Sequence, residues 1–250
     1  MPHTPDAVRA LERELRDIFG PRLHSLVVYG LRVAGAPDEP GHGPHAGGHH
    51  AAPAPIHTLA IVEALGPGDL RACAARAAGW HDAGLATPLL LAASEFERAL
   101  DAFPLEFGAI VADHVVVSGA SPFARLSVDT ADVRRACETQ ARSHLLHLRE
   151  GFIETRGRGD ALALLVVQSA APFAALVQSI GRLLNDSAGD PAAAARHVGR
   201  AAGIGGDVLE EIVGLAGVDE IASSEAERLF PPYLTAVERL VAYVDGWSAA

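Results

Sequence analysis

The stretch that most limits how this chain can fold runs from Leu23 to Tyr29 and ends in Gly30-Leu31-Arg32-Val33-Ala34-Gly35. An apolar run of strand length reads as a strand buried on both faces, so other elements must cover it from either side. Ahead of it, Thr4-Pro5-Asp6 carries the signals of a helix start: a capping hydroxyl, proline at the first helical position and an acid beside the positive end of the dipole. Val8, Leu11, Leu15, Ile18 and Phe19 then fall on one helical face, and Gly20-Pro21 stops it. A helix feeding a central strand is the opening of an α/β domain.

The rest of the first half continues that alternation. Residues 36–55 are rich in histidine, glycine and proline and form a loop. Leu59 to Leu65 predicts a second strand, Asp69 to Asp82 a helix, and Thr87 to Ala92 a third strand. Ser94-Glu95 opens a short helix, and Phe107 to Val111 with Val115 to Ser118 are expected as the last strand or strand pair. After Gly119-Ala120-Ser121-Pro122 only helical periodicity remains. Asp129 to Arg156 carries Val133, Cys137, Ala141, Leu145, Leu148 and Phe152 on one face. Asp160 is expected to cap an apolar helix, Asp190-Pro191 and Asp207 to start two more, and a final helix to follow Pro231-Pro232. The expected organisation is an α/β domain over residues 1–125 and an all-α helical bundle over 126–250.

Charge and cysteine usage narrow the function classes. The net charge is −11, and all 20 basic residues are arginine. The missing lysines and abundant alanine fit a bacterial-like, high-GC composition and rule out a Schiff-base or phosphate-binding lysine. An acidic chain argues against tight nonspecific nucleic-acid binding, which depends on neutralising phosphates. Cys73 and Cys137 lie far apart in helical patterns, so no structural disulfide is expected and a reducing cytoplasm fits. The first residues show no signal peptide. Ala161 to Ile180 has the length of a membrane span, but Gln168, Ser169, Pro172, Gln178 and Ser179 interrupt it. It is expected to be the core helix of a bundle, with no membrane partner.

The Gly30–Gly35 turn, the strand order and the change to helices after Val117-Ser118-Gly119 resemble the nucleotidyltransferase superfamily, in its minimal and kanamycin-type forms. The resemblance covers roughly residues 6–125. It implies a nucleotidyltransferase-like α/β domain in which Gly30, Arg32 and Gly35 bind the phosphates of a nucleoside triphosphate. Leu31 stands where family members carry serine. In the family, the next strand bears two acids one residue apart that hold the catalytic metals. Here the corresponding pairs are Ile56 with Thr58, or His57 with Leu59, and neither contains a carboxylate. Glu63 lies at the far end of that strand, and Glu106 or Asp113 could replace the family's third acid but not the first two. The expectation is a catalytically degenerate member, a pseudoenzyme without magnesium at the usual site, retained for nucleotide or protein-partner binding. An active nucleotidyltransferase with metal carboxylates displaced to Glu63, Glu106 or Asp113 is the alternative.

Two further patterns carry chemistry. His42, His45, His49 and His50 place four imidazoles in the loop, a set able to chelate zinc, nickel or copper weakly. A transition-metal-binding protein is thus a second alternative. Arg142 and His147 fit the Arg-x4-His spacing of the HEPN ribonucleases, where the pair flanks a scissile phosphate. His144, His147 and Glu150 are expected on one face of that helix.

Overall fold

The computed structural model describes residues 5–30, 55–124, 128–185 and 190–246. The chain divides into two compact units, Met1–Val128 and Asp129–Ala250. The first holds a four-stranded mixed sheet, and the second is wholly helical in its described residues.

In the first unit, α1 (Asp6–Phe19) leads through a short 3-10 turn into β1 (Leu23–Tyr29). β2 (His57–Val62), α2 (Pro67–Ala74), α3 (Ala77–Asp82), β3 (Leu89–Ala92), α4 (Ala93–Ala102), α5 (Pro104–Ala112) and β4 (His114–Gly119) follow. The strand order is β3-β2-β1-β4. β1 pairs antiparallel with β2 and β4, while β2 and β3 run parallel across the α2–α3 crossover that such pairing requires. β1 is central and buried on both faces. Leu26 and Val28 join Val8, Leu11, Leu15, Phe19 and Trp80 on the α1 side. Val27 turns to the other side, with Leu59, Ile61, Phe96, Phe107 and Phe123. Arg22 locks the start of the sheet by pairing through both terminal nitrogens with Asp69, at 2.7 and 3.1 Å. That guanidinium, with the Gly66 N–H, holds the Asp69 carboxyl down at about 2.

Several expected elements change type or length. Phe107–Val111 is helical, because Pro104 opens α5 at its first turn and Phe107 and Ile110 meet the core at helical spacing. A five-residue apolar run fits either period, and its helical start signal decides it. β3 begins only after Pro88, which has no N–H to donate. The helix expected over Asp69–Asp82 breaks into α2 and α3.

The second unit comprises α6 (Thr130–Thr155), α7 (Gly159–Leu183), α8 (Pro191–Ala201), α9 (Gly206–Gly214) and α10 (Ser223–Gly246). Asp129 caps α6 through the Ala131 N–H, and Asp190 caps α8 through Ala192 and Ala193. Asp160 does not cap α7: that position is Arg158, and Asp160 lies in the first turn, where it still complements the dipole. Pro231 and Pro232 sit inside α10 rather than ahead of it. Their missing N–H groups weaken the helix locally, but Leu229, Phe230, Tyr233, Ala236 and Val237 are buried on both sides of them, so packing carries the helix through. α7 is the core helix, in contact with α6, α8, α9 and α10. By length and composition it could also cross a membrane, the one such helix among the described residues.

Candidate functional site

The end of β1 is where the first unit gathers polar groups. Gly30 has φ +71°, a left-handed conformation that an L side chain adopts only at a cost. Its N–H donates to the Asp113 carbonyl at 3.2 Å, which ties the end of β1 to the start of β4. A Cβ at Gly30 would meet nothing within 4 Å among the described residues, so it is the left-handed conformation that favours glycine here.

Beside this turn the register aligns three side chains. Tyr29 pairs with His57 on one neighbouring strand and with His114 on the other. Residues directly opposite in adjacent strands share a sheet face, so His57, Tyr29 and His114 form a row across three strands. The Tyr29 and His57 rings lie 5.7 Å apart with a 33° tilt. His114 packs its ring edgewise on Phe123 at 4.7 Å. Its Nδ1 lies 3.0 Å from the Val111 carbonyl, which can only accept, so Nδ1 carries a proton and donates it there. Burial raises the Tyr29 phenol above its ordinary pKa and keeps it neutral. His57 is exposed, and Tyr29, Gly30 and His114 are half-buried. The row offers stacking surface, a phenol hydroxyl and imidazole nitrogens.

The register also separates the two candidate pairs on β2. Ile56 and Thr58 face the α1 side, where Thr58 is 1% exposed. His57 and Leu59 face the opposite side, and Leu59 is fully buried. His57 therefore presents the exposed position. Of the three acids proposed as substitutes, Asp113 is brought to Gly30 through its main chain. Glu63 follows β2 at its far end, with its N–H on the Arg22 carbonyl. The seven residues of β1 put it about 20 Å from the turn. Glu106 lies exposed in the first turn of α5. Among the described residues, no group of three His, Cys, Asp or Glu side chains is placed to hold a metal ion. Arg32, Gly35, His42, His45, His49 and His50 lie outside the described residues.

In the second unit, Arg142 and His147 do not converge. Arg142 is held by Glu138 at 3.2 Å and Asp245 at 2.8 Å. His147 lies 3.4 Å from Glu150, and both side chains are 75% exposed. Five residues along a helix is a rotation of about 140°, which turns the two away from each other. The shared face expected for His144, His147 and Glu150 fails as well: His144 points inward, with its Nε2 2.6 Å from the Tyr233 hydroxyl. Sequence reasoning missed Tyr29 and His114 as neighbours of His57. The signal was present, a histidine opening the apolar run Val115–Val117, but its alignment with Tyr29 is a matter of strand register. Comparison with known proteins yields no match to any family model and none to any curated protein.

Proposed function

We propose that the first unit is a nucleotidyltransferase-type frame that has lost its metal-binding acids and keeps nucleotide binding at the Gly30 turn. The observation that carries this reading is the row His57–Tyr29–His114 beside a glycine of positive φ: imidazoles and a phenol line the end of the sheet where the family places carboxylates. A helix leading into a central strand, a mixed sheet and a following helical unit support the frame. The rings give a nucleobase a surface to stack on, and Arg32 is the charge-assisted partner for phosphate. The setting proposed is the cytoplasm, in keeping with Cys73 and Cys137 as free, buried thiols.

Thermal melting with each of ATP, GTP, CTP and UTP, with and without magnesium, tests the reading. At 100 times the dissociation constant, linkage gives about 2.7 kcal/mol, a rise of several degrees. The shift should be nearly independent of magnesium, shrink in Arg32→Ala and vanish in Gly30→Ala. No shift with any millimolar nucleotide would leave the turn without a ligand and favour protein-partner binding instead. The proximity of Asp113 to Gly30 motivates the second reading, an active enzyme with displaced acids. Incubation with labelled nucleotides and small acceptors should give no adduct; turnover that disappears in Asp113→Asn would establish that alternative.

A further inference from the structure

A polyphosphate cradle works through main-chain N–H groups left free to donate and through fixed positive charge. At the end of β1 the Gly30 N–H is already committed, to the Asp113 carbonyl at 3.2 Å. The residues that meet there, Tyr29, His57, His114 and Asp113, supply a phenol, two imidazoles and an acid, with no guanidinium among them. The chain has no lysine, and residues 31–54 bring one arginine, Arg32, against two acids, Asp38 and Glu39. Arg22 precedes β1 at the opposite end of the strand and is held by Asp69. Among the described residues, no set of three metal-ligating side chains is placed to add a cation's charge.

We propose that the ligand of this row is a nucleoside monophosphate, bound through its base against Tyr29 and His57, and that each further phosphate weakens binding. The inference rests on the nucleotide-binding reading above and names which nucleotides the site takes. A base is uncharged and stacks on rings. The Tyr29 and His57 rings lie 5.7 Å apart, and His57 is exposed. One guanidinium forks onto one phosphate, and Arg32 is the single cation that the sequence offers next to the turn. Every phosphate beyond the first therefore brings unmatched negative charge to a chain of net charge −11. Loss of the metal acids thus shifts the ligand class from triphosphate to monophosphate.

Calorimetric titration of the full chain with the mono-, di- and triphosphates of adenosine, guanosine, cytidine and uridine, in magnesium-free buffer of low salt, tests this. For the base that binds best, affinity should fall with each added phosphate, by about tenfold from monophosphate to triphosphate, and the gap should narrow as salt is raised. His57→Ala, at an exposed position, should weaken the monophosphate and the triphosphate by the same factor, because it removes contact with the base they share. A triphosphate that binds as tightly as the monophosphate, or tighter, overturns the inference and leaves the nucleotide reading standing. Unchanged monophosphate affinity in His57→Ala overturns it as well, since the row would not be the contact surface. If no member of the series binds, the nucleotide reading itself fails, and this inference with it.

Discussion

His144 Nε2 and the Tyr233 hydroxyl lie 2.6 Å apart inside the helical unit, joining α6 to α10. The proton positions follow from the partners. Ser169 Oγ lies 2.9 Å from the Val166 carbonyl, which can only accept, so the single serine proton goes there. Tyr233 Oη, 3.3 Å from Ser169 Oγ, must then donate to the serine. That leaves Tyr233 as the acceptor, and His144 must carry its proton on Nε2. Phe173 stacks on the imidazole at 5.2 Å and meets the Tyr233 ring edge-on at 5.1 Å. The chain His144→Tyr233→Ser169→Val166 thus places the proton of the neutral imidazole on Nε2.

The helical unit should lose stability in mild acid through this histidine. Burial, and secondarily the neighbouring His147, lowers the His144 pKa to about 4 from an ordinary value near 6.5. The folded state then binds a proton less readily than the unfolded chain. Its stabilising contribution is complete above about pH 6.5 and falls away as pH drops toward 4. The loss amounts to ~3 kcal/mol. Denaturant melts from pH 7 to 4 should show this slope, and His144→Phe, which keeps a ring against Phe173, should remove it. An unchanged slope in that variant would place the acid sensitivity elsewhere.

Tyr233→Phe should destabilise the same unit by about 1–3 kcal/mol, because it strands the His144 N–H without an acceptor in a buried setting. Pairing it with His144→Phe should recover much of that loss. A double-mutant cycle read by urea unfolding measures the coupling, and strict additivity would mean that the two groups do not act as a pair.

Two glycines with positive φ should respond differently to alanine. At Gly119, φ +80°, a Cβ would sit 1.9 Å from the His24 carbonyl oxygen, where β4 pairs with β1. Backbone must shift, so Gly119→Ala should cost about 3 kcal/mol or more. At Gly30 only the left-handed conformation opposes the change, about 1–2 kcal/mol. Equilibrium unfolding of the two variants should give that order, and Gly30→Ala should fold well enough for nucleotide titration.

The Thr58 and Ser25 hydroxyls are buried with no hydrogen-bond partner among the described residues. Thr58→Val keeps the shape and removes the unpaired oxygen, so it should raise stability by about 1 kcal/mol. Because Thr58 faces the α1 side rather than the row at Gly30, nucleotide affinity should not change. A fall in affinity would mean that the hydroxyl reaches the ligand.

Sequence by itself determined the elements whose signals are local. The cap and proline at Asp190-Pro191, the amphipathic face of α1 and the two-sided burial of β1 follow from side-chain chemistry and period within a few residues. Where a short-range signal conflicted with packing, it misled. Pro231-Pro232 mark a break by local rules, yet α10 passes through them because Leu229, Phe230 and Tyr233 are buried around the weak point. The pairing of Tyr29 with both His57 and His114 and the inward turn of His144 toward Tyr233 were decided only by tertiary structure. Strand register and helix rotation depend on contacts between residues far apart in the chain, and no local periodicity encodes which of two opposite faces meets which neighbour.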